Sequence, residues 1–119
     1  MCKRLVVCVG FFVFALASFS ASAQTEVLDN ATVSRLLSKE GMFGECMAKI
    51  NKVPVIANCP NTGWVSFSCD GTYNSVQVGK MSYGLALLAY SLGKKLYIEI
   101  DDTKLHDGYC FASRVDLRN

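Results

Sequence analysis

The sequence predicts one mainly β domain that contains a single helix and is stabilised by disulfide bonds. Three observations lead to this prediction. The chain of 119 residues begins like a secretory signal, and four of its six cysteines follow that signal. Several short segments alternate apolar and polar residues, as half-buried strands do, and one longer segment has apolar residues at helical spacing.

The first 23 residues have the three parts of a secretory signal. Residues 1–4 include two basic side chains, residues 5–17 are apolar, and small residues stand at Ala21 and Ala23. The apolar run is too short for a membrane span, which needs about 20 residues. We therefore expect cleavage after Ala23 rather than retention as a membrane anchor. Residues 24–119 would then form one secreted or periplasmic domain that is not embedded in the membrane.

The composition of the predicted domain excludes some classes of partner. Removing 23 of 119 residues leaves 96, a length suited to one small domain that benefits from cross-links. The chain has 12 basic and 10 acidic residues, but Lys3 and Arg4 belong to the signal, so the remaining charges balance. A neutral domain lacks the electrostatic attraction that dominates nucleic-acid binding. We expect no nucleic-acid partner.

Four cysteines remain after the predicted cleavage: Cys46, Cys59, Cys69 and Cys110. Export favours disulfides over free thiols, and four cysteines allow three pairings. Their spacing matches no zinc site, and the chain has only one histidine to assist them. We expect two disulfides and neither a metal nor another cofactor.

Three strands are predicted in the first half of the domain. Residues 32–38 suit either a short helix or a strand, but the glycine-containing loop at 39–44 favours a hairpin and hence a strand. Residues 45–51 alternate and form the second strand. A loop at 53–63 contains both prolines, and it precedes a third strand at 64–69 in which apolar residues alternate with serines.

Residues 78–92 predict the helix, because leucine and methionine recur at helical spacing: Met81, Leu85, Leu88 and Leu92. Gly93 marks its end, and its start is open between residues 75 and 78. The other side of the helix is also apolar, with Tyr83, Leu87 and Tyr90. Such a helix is either deeply enclosed or in contact with a partner, so these three residues are candidates for a homo-oligomer interface.

Two further strands complete the predicted fold. Leucine and isoleucine alternate with polar residues and tyrosine at 96–101, and a fifth strand at 109–117 follows a polar loop at 102–108. Three strands, a helix and two strands are the order of an OB-fold, a five-stranded barrel with its helix between the third and fourth strands. We expect an OB-fold-like small barrel.

This topology selects one disulfide pairing out of three. The second and third strands would be antiparallel neighbours, which brings Cys46 at the start of one beside Cys69 at the end of the other. The third and fifth strands would be parallel neighbours, which brings Cys59 toward Cys110. We therefore expect the pairs Cys46–Cys69 and Cys59–Cys110.

Four segments carry a resemblance to known proteins: ATVSRLLSKEG, NCPNTGWVSFSC, GLALLAYSLGKKLYIEI and GYCFASRVDL. In this pattern the chain resembles small secreted bacterial OB-fold-like proteins of largely uncharacterised function. More distantly, its order of elements is similar to that of the B subunits of bacterial AB toxins. That similarity implies a ring-forming, disulfide-bonded module that recognises a glycan. No sugar-binding residue of those subunits matches this chain by motif.

The sequence holds no convincing catalytic group. His106 is the only histidine, and neither a nucleophile elbow nor a free thiol accompanies it. We interpret it as a solvated loop residue. Asp101, Asp102 and Asp107 have the charge to hold calcium, but their spacing departs from that of an EF-hand, so a polar hairpin loop explains them.

Binding residues are expected in the loops that follow the first and fourth strands, because OB-folds bind ligands there. In the first loop, Met42 and Phe43 are unusually apolar, and they form either a contact patch or a plug of the barrel. In the second loop, Lys104 and His106 are candidate ligand contacts. Trp64 is either an aromatic platform for a ligand or a cover for one end of the barrel.

These observations predict a function without catalysis. We expect an exported binding module that recognises a glycan or protein ligand. The alternative is a small inhibitor of a hydrolase, a lysozyme or protease, in which the loop at 40–44 blocks a foreign active site. A hydrolase that uses His106 is the third hypothesis.

Overall fold

The structure, a computed structural model, describes residues 15–18 and 23–119. The predicted signal lies mostly outside the described residues, so its cleavage stays a prediction. Among the described residues, none belongs to a helix of the length and apolarity needed to cross a membrane.

In the described part of the chain, six strands form one mixed sheet with the order β1-β5-β6-β4-β3-β2. The strands are β1 (Thr25–Ala31), β2 (Val33–Ser38), β3 (Cys46–Ile50), β4 (Trp64–Ser66), β5 (Lys95–His106) and β6 (Tyr109–Arg118). Neighbours run antiparallel except β4 and β6, which are parallel. A short 3-10 helix, Phe43–Glu45, precedes β3, and the helix α1, Val76–Leu92, joins β4 to β5. The prediction of a mainly β domain with one α-helix is confirmed.

The expected five-stranded closed barrel is not what the structure contains, since the sheet has six strands among the described residues and is not closed. The additional strand is β1, which pairs with β5, whereas β2 pairs with β3 at the opposite edge of the sheet. These two edge strands are consecutive in the chain and are separated only by Thr32. Asn30 has a positive φ of 53°, and the pairing register of β1 shifts before Ala31. The chain therefore turns from one edge to the other at this point.

Two predicted strands also have different ends. The strand predicted at 64–69 is only Trp64–Ser66, because Ser68 has a φ of 54° and takes the chain out of the sheet. The polar loop predicted at 102–108 is instead a two-residue turn at Asp107 and Gly108, whose φ values of 50° and 87° suit a type I′ hairpin. This turn extends β5 as far as His106.

Both predicted disulfides are confirmed. The Cα atoms of Cys46 and Cys69 are 5.8 Å apart, and those of Cys59 and Cys110 are 5.5 Å apart. The first bond follows from the antiparallel pairing of β3 with β4. The second follows from the parallel pairing of β4 with β6.

The helix α1 packs on the sheet through its small residues. Its buried positions are Gly79, Ala86 and Ala89, while Met81 and Leu92 are 64% and 61% exposed. The Ser75 hydroxyl caps the first turn by accepting a hydrogen bond from Val78 N, and Gly93 ends the helix with a φ of 64°. Small inward residues let the helix lie close to the sheet, and several of its larger apolar side chains remain outside.

Two glycines of α1 predict opposite outcomes when each is replaced by alanine. A Cβ at Gly84 would meet no atom within 4 Å, so Gly84→Ala should raise the free energy of unfolding by about 1 kcal/mol through helix propensity. A Cβ at Gly79 would lie 2.6 Å from the backbone oxygen of Ser68. Gly79→Ala should therefore lower the free energy of unfolding by about 2 kcal/mol. Urea unfolding of both variants measures the two changes. A destabilised Gly84→Ala variant would contradict the open space at this position.

Candidate functional site

The outer face of strands β2, β3 and β4 is set by their register. Across these strands, Arg35 pairs with Lys49 and Lys49 with Trp64, while Leu37 pairs with Met47 and Met47 with Ser66. Directly paired residues point to the same side of a sheet, and side chains alternate along each strand. This face therefore carries a cationic and aromatic row beside a row that contains Leu37, Met47 and Ser66.

A pocket of about 180 Å³ lies on this face, lined by Leu37, Phe43, Met47, Trp64 and Tyr109. The lining is apolar except for the indole N–H and the phenol hydroxyl. Met47 is only 2% exposed but does not belong to the main core cluster, as expected for a side chain on the outer face. We call this feature the aromatic pocket.

One wall of the aromatic pocket is a loop that hydrogen bonds hold against the sheet. Phe43 has a φ of 58°, its N–H donates to Asp107 Oδ2 at 2.7 Å, and its carbonyl accepts from the Ser66 hydroxyl at 2.9 Å. Its ring meets the ring of Tyr109 edge to face, with the centroids 5.8 Å apart. Phe43 is therefore folded onto the sheet, whereas Met42 beside it is 39% exposed at the loop tip.

Two cations, Arg35 and Lys49, lie beside Trp64 on one side of the aromatic pocket. The guanidinium carbon of Arg35 lies 5.5 Å from the centre of the Trp64 ring, within the range of a cation–π contact. Neither Arg35 nor Lys49 forms a salt bridge with any residue in the described ranges. Their charges thus remain available beside an apolar cavity.

The other candidate contacts, Lys104 and His106, do not line this pocket. Lys104 Nζ lies 6.0 Å from the centre of the Phe111 ring. His106 is 9% exposed, so its interpretation as a solvated loop residue is wrong. The cause is the two-residue turn at Asp107 and Gly108, which leaves His106 inside β5.

His106 belongs to a cluster of polar side chains with Ser68 and Asp70. The His106 Nε2 atom is 2.9 Å from Ser68 Oγ and 3.7 Å from Asp70 Oδ1. Ser68 Oγ accepts from Tyr73 N–H at 3.1 Å and donates its one proton to Asp70 Oδ1 at 3.1 Å. A Ser68 hydroxyl that donates to Asp70 leaves Nε2 as the donor toward Ser68.

This arrangement differs from a Ser-His-Asp catalytic triad. In a triad, Nε2 accepts the serine proton and the aspartate holds the opposite ring nitrogen. Here Ser68 and Asp70 both approach Nε2, and the hydroxyl proton is directed to the carboxylate. Burial raises the pKa of Asp70, but hydrogen bonds from Thr72 and Ser68 outweigh it and hold the pKa below its ordinary value. The geometry favours a structural role for the cluster.

The predicted interface residues of the helix are divided between two environments. Tyr83 is half-buried, with its ring 6.2 Å from that of Phe67, so it packs toward the core. Leu87 and Tyr90 are 48% and 54% exposed. The structure therefore keeps only two of the three on the outer surface.

In the described part of the chain, no group of three or more metal-ligating side chains forms a metal site.

Comparisons of the chain with protein-family models, curated proteins and solved structures found no match. The resemblance to small secreted bacterial OB-fold-like proteins stays a prediction. Of the candidate contacts, the structure brings Phe43 and Trp64 together in one pocket. It adds three residues that sequence reasoning did not select: Leu37, Met47 and Tyr109.

Proposed function

We propose that this chain is an exported, non-enzymatic binding module that recognises an acidic protein segment. The aromatic pocket receives one apolar side chain of that segment, and Arg35 and Lys49 attract its acidic residues. The observation that carries the proposal is the apolar cavity beside two cations that lack salt-bridge partners in the described part of the chain.

The size and chemistry of the pocket favour a protein ligand over a glycan. Sites for drug-sized molecules measure roughly 300–1,000 Å³, so a cavity of about 180 Å³ suits a single side chain or ring. The side chains of Leu37 and Met47 in its lining are apolar and do not form strong hydrogen bonds with sugar hydroxyls. Aromatic walls and a thioether suit an apolar side chain, because they contribute large apolar area and can adapt their shape.

The charges of Arg35 and Lys49 support binding to an acidic segment in particular. Cations beside a contact site raise the association rate of an oppositely charged partner, and salt screens this effect. The free charges of Arg35 and Lys49 therefore favour acidic residues next to the inserted apolar side chain. We expect the association rate constant to fall as the salt concentration rises.

Selection of random peptides displayed on phage, with the exported protein as bait, tests this proposal. Enriched peptides should share an apolar residue flanked by Asp or Glu. Trp64 is the only tryptophan of the chain, so binding should change its fluorescence directly. Trp64→Ala should raise the dissociation constant of the best peptide by about 30-fold, as measured by calorimetry.

Tyr97→Ala provides the matched control. Tyr97 is also an aromatic residue beneath cations, with Arg114 and Arg118 at 5.1 Å and 4.8 Å from its ring centre, but it lies on β5 outside the pocket. This variant should keep the wild-type affinity. Peptides that bind the Trp64→Ala variant with the same affinity as the wild type would refute the site. Inhibition of a lysozyme or protease through the loop at 40–44 would instead support the inhibitor alternative.

A further inference from the structure

The buried carboxylate of Asp102 contacts the backbone at Gln24, the residue that follows the predicted cleavage point. Gln24 N lies 2.8 Å from Asp102 Oδ1, and Asp102 N–H donates to Gln24 O at 3.0 Å. The second carboxylate oxygen accepts a hydrogen bond from Asn58 Nδ2 at 3.3 Å. Asp102 itself is only 3% exposed.

The surroundings of Asp102 satisfy its hydrogen bonds but not its charge. Both donors to the carboxylate, Gln24 N–H and the Asn58 amide, are neutral in the uncleaved chain. Asp102 forms no salt bridge within the described residues 23–119. A buried carboxylate without a cation is costly, and the cost falls when a positive group is hydrogen-bonded to it.

We propose that cleavage after Ala23 supplies this cation. A signal peptidase would hydrolyse the Ala23–Gln24 bond with one water molecule, leaving a carboxylate on Ala23 and an α-ammonium group on Gln24. The new positive charge forms on the very nitrogen that lies 2.8 Å from Asp102 Oδ1. Asp102 is thus the acceptor for the processed amino terminus, in a partly buried ion pair that the precursor lacks.

The position of the bond agrees with this role. Ala23 and Gln24 are exposed and lie outside the strands, and β1 begins at Thr25. The bond therefore lies on the surface of the domain, one residue before the sheet begins. The ion pair would stabilise the domain only after processing. Neither the aromatic pocket nor its ligand enters into this pairing.

The first test is the intact mass of the protein exported by a bacterial host with its own signal. The expected mass is that of residues 24–119 with both disulfides formed and an unmodified amino terminus. A different amino terminus, or complete conversion of Gln24 to its cyclic form without a charge, would overturn the proposal.

The second test separates the charge from the N–H group. Insertion of Gly-Ser between Ala23 and Gln24 leaves, after cleavage, a Gln24 N–H that is a neutral amide. We expect this extension to lower the folding equilibrium constant about tenfold or more in the wild type, but to have little effect in Asp102→Asn. Equal effects in both backgrounds would refute the ion pair. Asp101→Asn is the matched control, because Asp101 bonds Thr103 instead, and it should keep the wild-type response.

A chemical readout on folded protein complements these stability measurements. A free amino-terminal glutamine cyclises when its uncharged amine attacks the side-chain amide carbon and ammonia leaves. An ammonium held by Asp102 should resist this reaction. Mass spectrometry over time should therefore show ammonia loss several-fold faster in Asp102→Asn than in the wild type or Asp101→Asn. Identical rates would contradict the pairing.

Discussion

Replacing both Cys59 and Cys110 with alanine should lower the free energy of unfolding by about 4 kcal/mol. The disulfide joins residues 51 positions apart, so its loss frees a long loop in the unfolded chain. It also ties the segment before β4, which contains no strand, to the start of β6. Small domains have a total stability of about 5–15 kcal/mol, so this variant should be close to unfolding at ordinary temperature. Urea unfolding without reductant measures the change.

The other disulfide provides a matched comparison. Cys46 and Cys69 are 23 positions apart, which corresponds to about 3.5 kcal/mol in the same chain-entropy account. All four cysteines are buried, so each double replacement leaves a similar cavity, and the loop length is the main difference. A larger loss for the Cys46 and Cys69 pair would show that loop entropy does not determine the ranking.

The disulfide pairing was predictable because it depends only on which strands are neighbours. Cys46 begins β3, Cys69 lies just beyond β4, and Cys110 is the second residue of β6. The strand β1 was missed for a physical reason. Its sequence, TEVLDNA, buries only Leu28 and Ala31, so it lacks the regular alternation that marks a strand, and its pairing with β5 determines its structure.

The pocket could be predicted only in part, because a bulge in β2 changes which residues face outward. Simple alternation from the buried Val33 would direct Leu37 toward the core. The register shift between Val33 and Arg35 directs Leu36 inward instead and Leu37 toward the pocket. Phe43 and Trp64 were identifiable as unusual aromatic residues, but nothing local in the sequence marked this bulge.

The burial of His106 depends on a turn that the sequence does indicate. Asp-Gly between alternating segments is a strong signal for a two-residue hairpin. The interpretation of residues 102–108 as one polar loop gave too little weight to this signal. With the short turn, His106 stays in the strand and contacts Ser68 in a partly buried polar cluster, while its role as a ligand contact stays a prediction.

The Ser68 hydroxyl is the centre of that cluster, and Ser68→Ala should lower the free energy of unfolding by about 3 kcal/mol. The substitution leaves the Tyr73 N–H and the His106 Nε2–H without their acceptor and removes the donor to Asp70. Urea unfolding at neutral pH measures the effect. Ser113→Ala is the control, since its hydroxyl bonds an exposed backbone carbonyl, and its effect should stay within about 0.5 kcal/mol.

The same variant should change how stability depends on pH. The pKa of Asp70 in the folded protein lies below its ordinary value of 3.8, so its ionised form stabilises the fold above that pH. This contribution is lost as the pH falls through the lowered pKa. Ser68→Ala removes one of the hydrogen bonds that lower the pKa of Asp70. The stability of this variant should therefore decline less steeply in acid than that of the wild type.

If Ser68→Ala instead abolished a hydrolytic activity while stability and acid response stayed unchanged, the serine would be a nucleophile, and the structural role of the cluster would be wrong.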